Sequence, residues 1–333
     1  MKEFHEKNIS YCIHLAQRGL GQVSPNPMVG AVLIYNQQII GQGWHQYYGG
    51  PHAEQNAIDN AVELGNQHLI SESTLYVSLE PCNHYGKTPP CTQLIIKYNI
   101  KRVVFGTFDP NPTMAGISIK KLMHQGIEVL GPILKTKCDQ LIQMFRINML
   151  HTRPYVILKF AQSADFFISN WEHNTKISNP YTDILVHKWR SEADGILIGR
   201  ITLQTDNPLL NNRHWYGKNP KIIIWTTQNQ LINSDYNVFK HSENTILTSQ
   251  ITHKNSLESI LKSLYLEKKL GVILVEGGAK VLNGFIESGF WDEARIITNT
   301  KLRIQNGVIA PKIQGKLIES DQLLNDKIHY IQR

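Results

Sequence analysis

Strand-length apolar runs alternate with amphipathic helical patterns along the chain, and this alternation restricts it to α/β architectures. Ile9, Cys12, Ile13 and Ala16 recur at helical spacing, and the pattern stops at Gly19. "GAVLIYNQQIIGQGWH" then reads as two strands around a polar turn, "HAEQNAIDNAVELG" as a helix closed by Gly65, and "TLYVSLEPC" as a strand. "TQLIIKYNI", "KRVVFGTF", "IKKLMHQG" and "IEVLG" continue the series. A single helix over "TKCDQLIQMFRINML" is expected to lead into a new strand, "RPYVILKFAQS", near residue 154. The second half repeats the alternation: helix "DILVHKWRSEA", strands "DGILIG" and "KIIIWTT", helix "SLESILKSLYLEK", strand "GVILVEGG", helix "AKVLNGFIESG" and strand "ARIITNT".

A chain of 333 residues exceeds what one hydrophobic core commonly covers. Two domains are therefore expected, over residues 1–150 and 151–333. With 41% hydrophobic and 18% charged residues the chain has globular rather than disordered composition. The charged start "MKEFHEKN" is not followed by an apolar segment, and no apolar run is long enough to span a bilayer. The expectation is a cytoplasmic protein without a membrane partner. A formal net charge of +7 favours anionic partners, whether phosphorylated metabolites, a phosphate-bearing cofactor or nucleic acid. The basic residues are scattered, with no stripe and no interleaved aromatics, which speaks against nucleic acid.

The four cysteines are Cys12, Cys82, Cys91 and Cys138. In a large chain without secretory features a disulfide framework is not expected, and a close pair points to metal or catalysis. Cys12 and Cys138 fall on helical patterns and read as core residues. Cys82 and Cys91 flank the loop of "LEPCNHYGKTPPC", and "PHAEQNA" supplies His52 and Glu54 at a helix start. His-x-Glu with a later Pro-Cys is the signature of zinc nucleobase deaminases, in which the glutamate is a proton shuttle and not a ligand. His52, Cys82 and Cys91 would leave zinc one open position for water. The usual signature has about two residues between the cysteines; here there are eight, "NHYGKTPP". His84 in that loop thus competes with Cys91 for the third place, and a thiolate after Thr-Pro-Pro is the preferred choice.

"PNPMVGAVL", "PHAEQNA" and "LEPCNHYGKTPPC" together closely resemble the bifunctional deaminase/reductase family of riboflavin biosynthesis, and the cysteine spacing separates that family from cytidine and tRNA adenosine deaminases. The resemblance is dense over residues 1–150 and looser beyond. It implies a cytidine-deaminase-like three-layer domain followed by a dihydrofolate-reductase-like α/β domain. It further implies deamination of a diaminopyrimidinone ribosyl phosphate, with His52, Cys82 and Cys91 on one zinc per chain, Glu54 as proton shuttle and Asn26 facing the substrate. Asn26, between two prolines, also reads as a plain turn residue.

For the second half the resemblance implies NADPH-dependent opening of the ribose into a ribityl chain. "KFAQS" retains Lys159, Ala161 and Ser163, and "RSEADGILIGRITLQTDNPLL" retains Arg190, Gly199, Thr202, Asp206, Pro208 and Leu210, followed by Arg213. By resemblance Ala161 lies near the nicotinamide, and Thr202 and Asp206 touch NADPH. Gly278, Ala279, Lys280, Val281, Leu282, Asn283 and Gly284 would wrap its phosphates, and Arg190, Leu210, Arg213 and Glu276 would surround the sugar phosphate. Independently of resemblance, "GVILVEGGAKVLNGF" is a strand, a Gly-Gly turn and a helix start. Such a start suits phosphate, but the stretch fits neither dinucleotide nor P-loop fingerprints, and a plain strand–helix turn is as good a reading.

Three positions depart from the family pattern. Phe166 stands in "SADF" where the family has glycine, Lys176 where it has tryptophan, and Asn207 where it has a second aspartate. These departures keep open a deaminase whose second half only binds or scaffolds, and the basic charge keeps open a nucleic-acid-binding protein with a structural zinc. A homo-oligomer is compatible with the sequence, which does not specify one.

Overall fold

The computed structural model describes residues 2–172, 175–226, 235–240, 245–248 and 257–333, the last-but-one segment by its backbone alone. The chain divides into two compact units, Met1–His151 and Thr152–Arg333.

In the first unit, α1 (Lys2–Gln17) precedes the hairpin of β1 (Gly30–Tyr35) and β2 (Gln38–Trp44). There follow α2 (Ala53–Glu63), β3 (Thr74–Val77), α3 (Cys91–Lys97), β4 (Arg102–Phe105), α4 (Ile117–His124), β5 (Glu128–Leu130), α5 (Lys135–Leu141) and α6 (Gln143–His151). The strands form one sheet in the order β2-β1-β3-β4-β5. Pairing is antiparallel for β1 with β2 and β3, and parallel from β3 through β5. Because strand side chains alternate in direction, the sheet feeds two cores. Ala31, Leu33, Leu75, Val77, Val103 and Phe105 pack with Ala57, Ile58 and Ala61 of α2 and with Ile95 and Leu122. Val32, Ile34, Tyr76 and Val104 face Ile9, Cys12 and Leu15 of α1 and Cys138 of α5. The result is a three-layer helix–sheet–helix unit. A Cβ at Gly41 or Gly43 would strike the backbone of Ala57, so the glycines of β2 let α2 lie close against the sheet.

The single helix expected over residues 136–150 is instead two, broken at Ile142 with φ −99°. Leu141 and Ile142 both turn into an apolar cluster with Ala16 and Leu79, and burial there outweighs helix continuity.

The second unit runs β6 (Tyr155–Gln162), β7 (Phe167–Asn170), α7 (Pro180–Glu192), β8 (Gly195–Gly199), α8 (Arg200–Asp206), β9 (Lys221–Trp225), β10 (Thr245–Thr248) and α9 (Leu257–Leu266). It continues with β11 (Val272–Val275), α10 (Ala279–Ser288), β12 (Glu293–Asn299), β13 (Gly307–Ile309), β14 (Lys316–Leu323) and β15 (Asp326–Gln332). Eight strands make one sheet in the order β10-β9-β8-β11-β6-β12-β15-β14, and β13 pairs with β7. Pairs from β10 to β12 are parallel, while β15 is antiparallel to both neighbours. Arg153 grips Asp292 through two buried contacts of 2.6 and 2.7 Å, and Asp292 also accepts the Val156 N–H. That pair ties the entries of β6 and β12 together, and removing one partner would leave a costly buried charge.

α8, β7, β10, β13 and the terminal hairpin are elements that apolar periodicity does not announce. β14 is exposed along nearly its whole length, so it carries no alternating signal and is held by backbone pairing with β15.

Phe166 sits in the turn between β6 and β7 with φ +65° and 59% exposure. A left-handed backbone costs a non-glycine residue about 1–2 kcal/mol, while glycine gives back roughly 0.5–1 kcal/mol through unfolded-chain entropy. Phe166→Gly is therefore expected to stabilise the protein by something under about 1 kcal/mol. Denaturant titration of parent and variant checks this; a lower midpoint for the variant would contradict it. Asn207, by contrast, has φ +39° at the end of α8, a position asparagine tolerates better than most residues.

Candidate metal centre and a second polar cluster

Three chain segments meet at the N-terminal ends of α2 and α3. His52 is the N-cap of α2, Cys91 opens α3 after Pro90, and Cys82 lies in the loop that follows β3. His52 Nδ1 is 3.4 Å from Cys82 Sγ and 3.3 Å from Cys91 Sγ, and the three ligand atoms all lie within 4.8 Å of one another. Around tetrahedral zinc, with Zn–N near 2.0–2.1 Å and Zn–S near 2.3 Å, nitrogen and sulfur stand roughly 3.5 Å apart. The trio fits a zinc ion. His84 is exposed and lies outside this group, so it does not supply the fourth protein ligand that a closed structural site would need.

The backbone holds the two cysteines in register. Cys91 N–H donates to Cys82 Sγ at 3.3 Å, and Thr92 N–H donates to the Cys82 carbonyl at 3.2 Å. The hydrogen bond from the Cys91 thiol, reinforced by His52, outweighs burial and draws Cys82 down to about 4. A low-pKa thiol suits a metal, which binds the thiolate. Glu54, in the first turn of α2, is 4% exposed. Burial pushes its carboxyl up to about 7, and the neighbouring Cys82 charge adds to the shift.

Asn26 is connected to this centre. Its Nδ2 donates to His45 Nε2 at 3.1 Å, and His45 Nδ1 lies 2.9 Å from the Pro51 carbonyl. Since Nε2 accepts, Nδ1 carries the proton. The His45 ring stands edge-on to His52 with centroids 5.5 Å apart.

Two supports of the loop escaped the motif reading. Glu80 is buried and accepts hydrogen bonds from Asp109 N (3.2 Å), Gly116 N (2.9 Å) and Ser118 Oγ (2.5 Å). Asn83 Oδ1 accepts from Thr92 Oγ1 and Lys121 Nζ, both at 2.8 Å. The signal that could have found them is polarity out of place: a carboxylate and an amide in a stretch about to enter a core.

In the second unit another polar cluster forms. Arg190 of α7 grips Glu276, just beyond β11, through Nε (2.8 Å) and Nη2 (2.9 Å). Lys159 of β6 reaches the same carboxylate at 3.6 Å. Arg190 Nη1 also donates to the Asn211 carbonyl at 3.4 Å, and Arg213 Nη1 to Asn211 Oδ1 at 3.0 Å. Leu210 between these arginines is buried with φ +50°. Ala161 lies two residues along β6 from Lys159, on the same strand face. Lys176 pairs with Asp183 at the start of α7.

Thr202 Oγ1 accepts the Gly278 N–H at 3.2 Å, which links α8 to the N-cap of α10. That helix start has no side-chain cap and no acidic residue in its first turn, and Lys280 lies there. The N–H groups of such a start, with Lys280 beside them, suit an anionic group such as a phosphate. Ala279, Lys280 and Val281 form the first turn; Leu282 is fully buried in the core, while Asn283 and Gly284 lie further along the helix. Asp206 is the last residue of α8, and burial raises its carboxyl pKa.

Burial pushes Glu276 up, but the charges of Arg190 and then Lys159 outweigh it and hold the carboxyl at about 2. Its folded value thus lies below the ordinary 4.5. The ionised cluster stabilises the fold above pH 4.5, and that contribution is lost as pH falls towards 2. The stability difference between parent and Glu276→Gln is expected to shrink across that window in acid titrations followed by circular dichroism. A difference that stays constant would contradict the pairing.

Comparison with known proteins is consistent in both units. The model for the cytidine and deoxycytidylate deaminase zinc-binding region matches residues 2–107, and that for the RibD C-terminal domain matches residues 154–303. The riboflavin biosynthesis protein RibD of Aquifex aeolicus is 33% identical over 335 residues, 95% of this chain and 89% of that protein. RibD of Actinobacillus pleuropneumoniae is 40% identical over 217 residues, 65% of this chain and 56% of that protein. The crystal structure of a diaminohydroxyphosphoribosylaminopyrimidine deaminase/5-amino-6-(5-phosphoribosylamino)uracil reductase from Thermotoga maritima is similar at 33% identity and a TM-score of 0.87, covering 99% of each chain.

Proposed function

The chain belongs to the RibD family of riboflavin biosynthesis proteins, and from that premise we propose that it catalyses two successive steps of the pathway. The first is hydrolytic deamination of 2,5-diamino-6-(5-phosphoribosylamino)pyrimidin-4(3H)-one. The second is NADPH-dependent reduction of the deaminated product, opening its ribosyl group into a ribityl chain. The observation that carries the reading is the His52, Cys82 and Cys91 trio with buried Glu54 beside it. His52, Cys82 and Cys91 would hold a zinc ion, whose Lewis acidity would make hydroxide available near neutral pH. Glu54 takes a proton from the attacking water and delivers it to the departing amine, which leaves as ammonia. The dry surroundings of Glu54 keep that proton from bulk water. Asn26, held by His45, meets the pyrimidine.

In the second unit, Arg190, Leu210, Arg213 and Glu276 surround the sugar phosphate, and the exposed Arg213, bonded to Asn211 Oδ1 in this structure, turns its guanidinium to the phosphate itself. Thr202, Asp206 and the start of α10 hold NADPH, and Ala161 leaves room for the nicotinamide. The reading places the enzyme in the cytoplasm, acting on small molecules rather than nucleic acid. Among the described residues no helix is long and apolar enough to cross a membrane.

A second reading, a deaminase with a binding or scaffolding C-terminal half, draws on Phe166, which occupies a left-handed turn where the family has glycine. Titrating NADPH by fluorescence and following its oxidation at 340 nm with deaminated substrate separates the two. Saturable binding with turnover supports the bifunctional enzyme. No binding at millimolar NADPH would leave a deaminase with a scaffold, and binding without turnover would locate the fault at the nicotinamide end.

A further inference from the structure

The loop of residues 207–219 carries Arg213, and one face of α7 holds that loop down. His187, Arg190 and Ser191 stand three and four residues apart along the helix and so share a face, and Asp194 follows just past its end. Arg190 donates to the Asn211 carbonyl. Gly217 lies so near the helix that an added Cβ would come within 2.9 Å of Ser191 Cβ. Lys218 Nζ reaches Asp194 at 2.7 Å. Within the loop, Asn212 N–H donates to Asn219 Oδ1 at 2.7 Å.

His187 is a further attachment, made directly to the backbone of Arg213. It is 3% exposed, and its Nδ1 accepts the backbone N–H of Arg213 at 3.2 Å. His214 packs edge-on against the ring with centroids 4.7 Å apart. A backbone N–H can only donate, so Nδ1 bears no proton and the proton of the neutral ring is on Nε2. Burial, followed by the charges of Arg190 and Arg213, favours that neutral form and lowers the pKa to about 4. The exposed Arg213 side chain has one hydrogen bond of its own, to Asn211 Oδ1, so its starting direction is set by where its backbone is pinned.

We propose that His187 is a positioning residue for the reduction: by accepting the Arg213 N–H it fixes the backbone from which the Arg213 guanidinium reaches the substrate phosphate. This rests on the assignment of Arg213 to the sugar phosphate made above. A residue that aims a binding group acts on substrate affinity, so its loss raises KM and leaves kcat alone. A residue that only props up the fold would instead lower kcat or the amount of active enzyme.

Five full-length proteins decide the matter, assayed for NADPH oxidation with deaminated substrate: the parent, His187→Phe, His187→Asn, Arg213→Ala and the double variant His187→Phe/Arg213→Ala. Phenylalanine keeps the ring but has no acceptor, whereas asparagine keeps an oxygen near the place of Nδ1. His187→Phe is expected to raise KM roughly five- to tenfold with kcat within about twofold of the parent, the scale of one lost hydrogen bond. His187→Asn should restore KM to within about twofold, and the double variant His187→Phe/Arg213→Ala should be no worse than Arg213→Ala alone. A parental KM in His187→Phe, or a loss carried by kcat, overturns the proposal while an impaired Arg213→Ala leaves the assignment of Arg213 standing. A parental KM in Arg213→Ala overturns that assignment and the proposal with it.

Discussion

Glu54→Gln is expected to slow ammonia release by roughly 10²–10⁴-fold, the range that a positioned acid–base group contributes. Glutamine is nearly isosteric with glutamate, and Glu54 sits in the first turn of α2 two residues from His52, so the helix and the zinc ligands should be undisturbed. What is lost is the ability to accept a proton from water and release it to the leaving amine. The substituted amide also enters a site where burial already penalises a carboxylate, so the folded state should be no less stable. Zinc content should stay at the parental level, and NADPH oxidation with deaminated substrate should not change. Ammonia release within a few-fold of the parent would show that another group carries the proton.

Cys82→Ser and Cys91→Ser are expected to abolish deamination by a different route. Each removes one of three protein ligands and replaces a thiolate by a hydroxyl that remains protonated near neutral pH and binds zinc poorly. The two changes should not be equal in stability. Cys91 is 2% exposed at the start of α3, while Cys82 is only half-buried and accepts the Cys91 N–H. Both should fall from about one zinc per chain to a small fraction of that after chelator treatment, measured by atomic emission. Parental zinc in both single variants would refute the ligand set. Loss of zinc in His84→Ala would move the third ligand into the loop, against the exposure of that residue.

Much of the first unit is legible in the sequence because its signals are local. Gly65, with φ +77°, follows the helix it was expected to end. The two strands around Asn36 and Gln37 form a hairpin whose turn residues both have positive φ. His52, Cys82 and Cys91 come forward by residue type within His-x-Glu and Pro-Cys patterns, although the eight-residue gap between the cysteines departs from the usual spacing and let His84 compete. Glu80 and Asn83 act through hydrogen bonds to segments 29 to 38 residues away or to a nearby helix start, and no local pattern encodes such a partner. His187 is hidden for the same reason: its partner lies 26 residues on, in an irregular loop.

The second unit is less legible because backbone pairing carries more of it. β14 is exposed almost throughout, and β7, β10 and β13 have only three or four residues each, too few for a period to emerge. The helix break at Ile142 is a tertiary effect, since burial of Leu141 and Ile142 decides it. Phe166 illustrates the opposite case: the family's glycine at this position is accounted for by a left-handed backbone, which Phe166 adopts with φ +65°. Only the fold could supply that angle, because phenylalanine itself disfavours it.

The account stands most directly on one assay of the purified full-length protein with the diaminopyrimidinone ribosyl phosphate, following ammonia and 340 nm absorbance together. Ammonia release is expected without NADPH, and on its addition the absorbance should fall until about one NADPH is oxidised per ammonia released, as one hydride per ring opening requires. Ammonia without any NADPH oxidation would contradict the assignment of the second half. No ammonia from zinc-loaded protein would contradict the account at its centre.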